Sequence, residues 1–202
     1  MGLPTFKLPE ELAYVSADDY LALELEAETR HEYANGRVWA MTGAEMTHND
    51  INYNLNQVIG PQLRGKGCKA NMSDLRVQTK NRSGYLYPDT VVICGTPMLS
   101  DEVKPRSLTN PVLVVEVTSA STAERDHYEK FALYRHIDSL RQYLMLSSEE
   151  VHAEIYTLDE LGRWIYTETR DLSAVLDLSS IVCQVPLAEV YAGVEFDLET
   201  KE

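Results

Sequence analysis

The sequence predicts one mixed α/β domain, and three observations support that class. The 202 residues are enough for one well-filled core and too few for two comfortable ones. From Thr47 onward the patterns follow the order helix, three strands, helix, strand. Residues 111–118 are almost continuously apolar, which is typical of a strand covered on both faces. Since no linker or repeat interrupts the pattern, we assign residues 1–202 to one domain with a core at about residues 47–148.

The N-terminal segment predicts a helix followed by a hairpin. Ser16 and Asp19 have the spacing of a capping box, which predicts a helix over residues 16–26. Asn35 and Gly36 then form the strongest short hairpin signal that a sequence can carry. The arms of this hairpin are expected over residues 31–34 and 37–41.

The middle of the chain predicts most of the core. A second helix is expected to begin at Thr47 and to end near Arg64, ahead of two glycines. Its apolar residues recur at helical spacing: Ile51, Leu55, Val58 and Ile59. Three strands are expected over residues 69–79, 85–94 and 111–118, with a turn at 81–84.

The C-terminal part predicts a helix and then mostly strands. The helix is expected to begin at Ser121 or Thr122. Its predicted buried face consists of Tyr128, Phe131, Tyr134 and Ile137. A strand at 140–146, a hairpin of 151–158 and 163–169, a strand near 180–185 and a short helix at 186–191 complete the pattern.

Cysteine usage and hydropathy bear on the compartment. Cys68, Cys94 and Cys183 are odd in number and lack C-x-x-C spacing, which argues against a disulfide framework and against a cysteine-built zinc site. No apolar run approaches the length of a bilayer span, and residues 1–15 lack the order of a secretory signal. We therefore expect a cytoplasmic protein without a membrane partner.

The net charge of −14 argues against a protein that coats nucleic acid non-specifically. The charge is uneven, however, because residues 62–82 carry a surplus of +5. The bases of this segment are Arg64, Lys66, Lys69, Arg76, Lys80 and Arg82. These bases either form a basic edge that meets an anionic polymer or belong to a solvated loop and strand rim. The charge alone favours the solvated rim.

One carboxylate interrupts the most apolar strand of the chain. Glu116 lies within the run 111–118, where an unpaired ionised carboxylate would cost several kcal/mol. A Lys, an Arg or a metal ion must therefore compensate it, if the strand is buried. The alternative is a structural ion pair, or an edge strand that turns Glu116 to water.

The preceding strand contains a similar exception. Asp89 follows Pro88 and comes before a Val-Val-Ile run, although strands disfavour both residues. Pro88 is expected to produce a bulge or bend that redirects Asp89. Neighbouring strands lie about 4.8 Å apart, so Asp89 and Glu116 can bind one divalent cation between them. Oxygen-only ligation favours Mg²⁺ or Mn²⁺ over zinc.

Lys130 follows Asp126 by four residues on the helix after Glu116. It lies at the margin of the predicted apolar stripe, from which its ammonium group can reach the carboxylates and offset charge on a phosphoryl group. The alternative is an exposed i,i+4 pair with Asp126, worth a few tenths of a kcal/mol.

Three further residues are accessory candidates: Glu32, His48 and Asp74. Glu32 is expected opposite Trp39 across the hairpin, either as a further metal or water ligand or, more simply, as an exposed strand residue. His48 on a buried helix face is typical of a hydrogen-bonded core histidine. Asp74 is expected to pair with Arg76.

These motifs in this order resemble the PD-(D/E)XK phosphodiesterase superfamily and, more narrowly, the Uma-type restriction endonuclease family. The resemblance rests on Pro88-Asp89, on Glu116-Val-Thr-Ser, and on Asp126-x-x-x-Lys130 with Tyr134. It implies a restriction-endonuclease-like core with a mixed central sheet, an N-terminal helix and hairpin, and a C-terminal hairpin extension.

The resemblance also implies a site and a reaction. Asp89 and Glu116 would bind Mg²⁺ or Mn²⁺, with the Val117 carbonyl as a further ligand. The superfamily lysine normally stands two residues after the glutamate, where this chain has Thr118, and Lys130 matches the lysine that substitutes for it. The implied activity is hydrolysis of DNA phosphodiester bonds by a homodimer, with the bases of residues 62–82 on backbone phosphates.

Two other functions remain open at this point. A nuclease-like fold with weak or absent catalysis, kept as a binding or assembly module, fits the net charge of −14 and the displaced lysine. Metal-assisted hydrolysis of a small phosphate ester fits the acidic composition, although the sequence holds no Walker loop.

Overall fold

The computed structural model describes residues 14–41, 43–72, 74–100, 105–120 and 122–196. A six-stranded mixed sheet forms the centre of this structure. In spatial order its strands are β10 (Trp164–Thr169), β9 (Ala153–Leu158), β8 (Gln142–Ser147), β7 (Leu113–Thr118), β6 (Thr90–Cys94) and β3 (Cys68–Met72). Strands β7 and β8 are parallel, and every other neighbouring pair is antiparallel.

Two smaller sheets flank this centre. The four-stranded sheet has the order β2 (Arg37–Ala40), β1 (His31–Ala34), β5 (Gly84–Leu86) and β4 (Val77–Gln78). The C-terminal pair is β11 (Val175–Leu178) with β12 (Cys183–Pro186). Short 3₁₀ turns occupy Lys80–Arg82 and Ser179–Ile181.

The helices are α1 (Ala17–Glu26), α2 (Met46–Leu63), α3 (Ala123–Arg125), α4 (Phe131–Tyr134) and α5 (Leu187–Val190). A π-helical turn, Asp126–Lys130, connects α3 to α4. Of the described helices, none combines the length and the apolar character needed to cross a bilayer.

Helices cover both faces of the central sheet, so β7 is buried along its whole length. Alternate residues of a strand face opposite sides. Val115 packs in a core with α2 and α5, whereas Val114 packs in a second core with α4. The prediction of a strand covered on both faces is therefore confirmed.

The N-terminal predictions are confirmed in detail. The Ser16 hydroxyl accepts a hydrogen bond from the Asp19 amide and caps α1. Asn35 and Gly36 form the two-residue turn between β1 and β2, both with positive φ, and Glu32 pairs with Trp39. Positive φ at both positions is what a type I′ turn requires.

Two long strands of the prediction are each divided in the structure. Residues 69–79 contribute to β3 in the central sheet and to β4 in the four-stranded sheet. Residues 85–94 divide in the same way into β5 and β6, with the chain bending at Pro88 and Asp89. Each segment has strand-forming residues on both sides of its break, so the residue pattern does not indicate the change of sheet.

Smaller differences concern the ends of elements. Helix α2 ends at Leu63, close to the predicted end near Arg64. It begins at Met46, one residue before the predicted Thr47, and its N-cap residue Glu45 makes no side-chain capping bond. The C-terminal hairpin, the last strand and α5 are confirmed, and β11 was not predicted. Ser121 lies outside the described residues.

The helix after β7 buries a different face from the one predicted. Phe131, Tyr134 and Ile137 are buried as expected, but Tyr128 is 76% exposed. The π-helical turn accommodates about one residue more than an α-helical turn, which shifts the phase of the side chains before it. Asp126 and Lys130 take the inward positions instead.

Cys68 and Cys94 form a disulfide, contrary to the expectation from cysteine number and spacing. The two residues are directly opposed in the β3–β6 register. Antiparallel neighbours can bring together cysteines that are far apart in sequence, which a spacing rule does not detect. Cys183 is free and buried.

The turn of the β9–β10 hairpin gives a prediction about pH. Asp159 accepts hydrogen bonds from the Leu161 and Arg163 amides and pairs with the Arg163 side chain, which lowers the pKa of its carboxyl below 3.8. Its stabilising effect is therefore present above pH 3.8 and is lost as the pH falls through the lowered pKa. We expect Asp159→Ala to lower the melting temperature at neutral pH, and the difference from the parent to shrink on acidification. A Glu160→Ala control should show no such trend; equal pH profiles would contradict this prediction.

Candidate active site

Asp89 lies at the bend between β5 and β6, where it is held by three contacts. Its Oδ2 accepts hydrogen bonds from the Val117 amide at 2.7 Å and from His48 Nε2 at 3.1 Å. Its backbone carbonyl accepts one from Asn52 at 3.1 Å. The bend after Pro88 thus turns the side chain towards β7.

Register brings Asp89 next to Glu116. The antiparallel β6–β7 ladder ends with the pair Thr90 and Val115, so Asp89 and Glu116 are the next residues along the two segments. Directly opposed residues of neighbouring strands have their side chains on the same face of the sheet. Burial is the main cause of the raised pKa of Glu116, and the charge of Asp89 adds a smaller contribution in the same direction.

Glu116 is 3% exposed in the middle of β7. Its Oε1 accepts a hydrogen bond from the Tyr134 hydroxyl at 3.2 Å and lies 3.3 Å from Lys130 Nζ. Burial raises the pKa of this carboxyl well above its usual value of 4.5, Lys130 opposes the rise, and the charges of Asp126, Asp89 and Glu32 add to it. The ionised form of Glu116 therefore requires positive charge in its surroundings.

Lys130 meets three carboxylates from three different elements. Its Nζ lies 3.0 Å from Asp126, 3.3 Å from Glu116 and 3.4 Å from Glu32. Burial by itself lowers the pKa of an amine, but these three negative charges raise the pKa of Lys130 well above its usual range. The i,i+4 pair with Asp126 is present but buried, so the alternative of an exposed pair is wrong, and the ammonium group reaches Glu116 as expected.

Glu32 is 3% exposed, so the simpler expectation of a solvent-facing strand residue is wrong. Its Oε2 pairs with Arg125 at 2.8 Å, and its Oε1 accepts a hydrogen bond from the Tyr87 amide at 3.0 Å. The Arg125 guanidinium lies over the Trp39 ring at 4.1 Å from the centroid. Strand β1 is buried because it lies between β2 and β5, whereas β2 is the edge strand and is partly exposed.

His48 approaches the site from the first turn of α2 and contacts Asp89. Burial lowers the pKa of an imidazole, but the hydrogen bond to Asp89 and the charges of Asp89 and Asp126 outweigh this and raise the pKa of His48. His48 is thus a partner of Asp89 rather than a core histidine remote from the carboxylates.

The donor set fits a divalent cation. Glu32, Glu116 and Asp126 converge on Lys130, and Asp89 lies at the neighbouring bend as a fourth carboxylate. Lys130 and Arg125 are the two permanently charged cations among them, which leaves a surplus of two negative charges when all four acids are ionised. Oxygen donors with this surplus match Mg²⁺ or Mn²⁺. Val117, expected to contribute its carbonyl, also contributes its amide to the orientation of Asp89.

The contributions of Arg125 and Trp39 to the site are not evident from the sequence. Arg125 lies in a charged stretch where nothing marks it from its neighbours, and the hairpin pattern places Trp39 only opposite Glu32. Asp126 is indicated by its i,i+4 spacing from Lys130, but that spacing does not specify which side of the helix is buried. Their contribution to the site therefore depends on the packing of the helix against the hairpin.

The bases of residues 62–82 do not converge on the carboxylates. Arg76 is 5% exposed and donates to Ser107 and to the Pro105 carbonyl, so its side chain is committed to a loop and a phosphate contact by it is not supported. The other bases are spread over different contacts and surfaces: Lys80 pairs with Asp138, Arg82 pairs with Asp18, Lys66 donates to the Val182 carbonyl, and Arg64 and Lys69 are exposed.

Asp74 does not belong to the site. It pairs with Arg30 at 3.1 Å and its side chain is 78% exposed, so the expected pair with Arg76 is wrong. The loop at 74–76 sends successive side chains in different directions, with Asp74 to solvent and Arg76 inwards.

Comparison with known proteins first identifies the class. The fold is similar to the crystal structure of "a putative nuclease belonging to DUF820" from Anabaena variabilis ATCC 29413, with a TM-score of 0.67 over 88% of this chain and 97% of that chain. The sequence identity is 15%, so this similarity concerns the fold alone. This similarity defines the class of the protein: a mixed α/β protein with the same fold as that putative nuclease.

The family follows from the sequence itself. The model of the Uma2 family, described as "Putative restriction endonuclease", matches residues 17–188. The chain belongs to the Uma2 family, and the resemblance inferred from its motifs is confirmed.

Two relatives from Synechocystis sp. (strain ATCC 27184 / PCC 6803 / Kazusa) extend along most of the chain. "Uncharacterized protein slr1290" is 34% identical over 182 residues, which cover 90% of this chain and 94% of the relative. "Uncharacterized protein sll1609" is 30% identical over 165 residues, which cover 82% and 93% of the two chains. Their names state no activity.

Proposed function

We propose that this protein is a divalent-metal-dependent DNA endonuclease whose site consists of Asp89, Glu116 and Lys130. The observation that carries the proposal is the position of Asp89 and Glu116 at the end of the β6–β7 ladder, with Glu116 beside the buried Lys130, in a group that has two negative charges in surplus. Membership of a family of restriction-endonuclease type supports the same reaction class. DNA is the proposed substrate and a homodimer the expected assembly.

The proposed roles follow from the contacts. Asp89 and Glu116 would hold Mg²⁺ or Mn²⁺, and the bound ion would acidify a water molecule and neutralise charge on the phosphate. The Val117 amide and His48 orient Asp89, and the Tyr134 hydroxyl orients Glu116. Lys130 provides a fixed positive charge that stabilises negative charge developing on the phosphoryl group.

Glu32 and Arg125 hold Lys130 in position. Glu32 contacts Lys130 through Oε1 and Arg125 through Oε2, so the lysine approaches Glu116 from a fixed direction. The aromatic face of Trp39 restrains Arg125 in turn. These are positioning residues in the proposal, because none of them is required to touch the substrate.

Nicking of supercoiled plasmid tests the proposal. The purified protein is incubated with plasmid and Mg²⁺ or Mn²⁺, and we expect open-circular or linear products that EDTA prevents. Asp89→Asn should reduce the rate at least about 100-fold, since it removes half of the metal's carboxylate charge. The matched control Glu160→Gln, an exposed acid in the hairpin turn, should cleave like the parent.

Cleavage that survives in Asp89→Asn would remove the proposed site from consideration. Metal-dependent cleavage of a short RNA but not of plasmid would retain the site and reject DNA as the substrate. Gel filtration with light scattering on the same preparation checks the expected dimer independently of activity.

A second candidate function is a binding or assembly module that retains the fold without catalysis. The dispersal of the basic residues and the net charge of −14 favour it, because neither provides a continuous surface for a polyanion. Calorimetric titration with Mn²⁺ distinguishes the two functions. Heat that disappears in Asp89→Asn supports the enzyme, whereas no binding at millimolar Mn²⁺ supports the module.

A further inference from the structure

A second cluster of ligand-type side chains lies at the outer edge of the central sheet. We call it the hairpin cluster, and it consists of His152, Glu154 and Glu168. His152 precedes β9, Glu154 lies on β9, and Glu168 on β10 pairs directly with Glu154. One ligand atom from each of the three lies within 4.8 Å of the others. The paired strands hold these side chains together without help from an ion.

The hairpin cluster is separate from the site of Asp89 and Glu116. Glu116 pairs with Met145 on β8, and Met145 pairs with Glu154 on β9. Two strand spacings amount to about 10 Å, which is too far for one ion to bind Glu116 and Glu154 together. Any ion at the hairpin cluster is therefore an additional one.

The two carboxylates of the hairpin cluster share one hydroxyl donor. The Glu154 side chain is 8% exposed, and the Tyr166 hydroxyl lies 2.7 Å from its Oε2 and 3.0 Å from Glu168 Oε2. A hydroxyl has one proton, so it can donate to only one of these carboxylates at a time. Arg170 reaches Glu168 at 3.5 Å, from the exposed side. A cation between the two carboxylates would satisfy both.

Imidazole nitrogens determine which cation fits. His152 Nε2 lies 2.9 Å from Glu168 Oε2, and its Nδ1 lies 3.7 Å from Glu154 Oε1. His127, from the π-helical turn, contacts the same Glu154 Oε1 at 3.0 Å. Mixed nitrogen and oxygen donors favour Zn²⁺ and similar transition metals, in contrast to the oxygen donors of Asp89 and Glu116.

We propose that His152, Glu154 and Glu168 form a binding site for a zinc-class divalent ion, with His127 orienting Glu154. The ion links the edge strand β10 to β9. It also connects the hairpin to the π-helical turn that carries Lys130, because His127 of that turn contacts Glu154. The stacking of Phe131 on Tyr156, at 4.0 Å between ring centroids, already packs the same two segments together. The role of the ion is structural support of that turn rather than chemistry on a substrate.

Metal binding is measured in the full-length Asp89→Asn, Glu116→Gln double variant, which removes the other site. Zn²⁺ is titrated by calorimetry, and Co²⁺ is the spectroscopic probe because its visible spectrum reports nitrogen ligation. We expect one equivalent of Zn²⁺, a visible Co²⁺ band, and a melting temperature that Zn²⁺ raises. Adding His152→Ala or Glu168→Gln should weaken binding at least about 100-fold and abolish the rise.

Two control substitutions, His136→Ala and Glu150→Gln, should leave Zn²⁺ affinity unchanged. His136 is exposed and does not belong to the hairpin cluster. Glu150 pairs with Arg170 and is likewise not a member of the cluster. Because Glu168 is 44% exposed, its replacement tests the site without disturbing a buried contact. No binding at millimolar Zn²⁺, or equal weakening by His136→Ala and His152→Ala, would overturn the proposal. Neither result bears on plasmid cleavage, so the zinc-site proposal and the nuclease proposal can be refuted independently.

Discussion

Glu116→Gln is expected to abolish metal-dependent plasmid cleavage and at the same time to stabilise the metal-free protein. The activity should fall at least about 1,000-fold, because the substitution removes a charged metal ligand while retaining the shape of the side chain. The Tyr134 hydroxyl can still donate to the amide oxygen, so the packing around residue 116 is preserved. Lys130 remains paired with Glu32 and Asp126.

The gain in stability follows from the direction of the Glu116 pKa. Burial raises this pKa well above 4.5, so ionising the carboxyl destabilises the folded protein as the pH rises above that value. In EDTA at neutral pH, we expect the free energy of unfolding of Glu116→Gln to exceed that of the parent by about 1 kcal/mol. At about pH 4, where the carboxyl is largely protonated in both states, the two proteins should have nearly the same stability.

Urea denaturation at the two pH values and plasmid nicking on the same preparations measure both effects. Glu160→Gln is the matched control, since it makes the same chemical change at an exposed position. A variant that cleaves like the parent would contradict the assignment of Glu116. A variant less stable than the parent at neutral pH would show that Glu116 serves the fold as one partner of an ion pair.

Lys130→Met is expected to destabilise the protein far more than the loss of any exposed ion pair. The ammonium group of Lys130 is the shared partner of three buried carboxylates. Removing it leaves those charges facing one another in a buried setting, where breaking a buried pair costs about 3–5 kcal/mol. Mg²⁺ should restore part of this loss, because it supplies positive charge to the same group of acids.

Lys80→Met is the control for this substitution. Lys80 also pairs with an aspartate, but its side chain is 53% exposed and that of Asp138 is 86% exposed. Exposed pairs contribute little, so we expect a change within about 1 kcal/mol. Urea denaturation in EDTA and in Mg²⁺ gives both comparisons. Equal losses for the two variants would mean that Lys130 is not the common counter-ion of the carboxylates.

The local sequence was sufficient to predict the elements that are specified by short-range signals. The capping box at Ser16 and Asp19, and the Asn35-Gly36 turn, specify backbone conformations through their own side chains or positive φ. The apolar run of β7 likewise specified a buried strand. Glu116 and Asp89 could be selected in advance because each breaks such a pattern, and a carboxylate in a core strand costs free energy wherever the strand lies.

The pairing of strands that are far apart in sequence determined the features that could not be predicted. The exchange of strands between two sheets at Pro88 and Asp89, and the burial of Glu32, depend on which strand becomes the neighbour of which. The Cys68–Cys94 disulfide has the same origin, since the residues meet only in the antiparallel register. A local hydrophobic pattern does not specify which strand becomes the neighbour, because the backbone hydrogen bonds are the same with any partner strand.

The sequence by itself determined the kind of protein: a mixed α/β fold, a family, and two acids that do not suit their strands. Only the tertiary structure decided which groups surround those acids. The π-helical turn moves Lys130 and Asp126 to the buried side, and the hairpin brings Glu32 and Arg125 to meet them. The physical reason is that burial and charge pairing depend on distances in space, which are set when separate elements pack together.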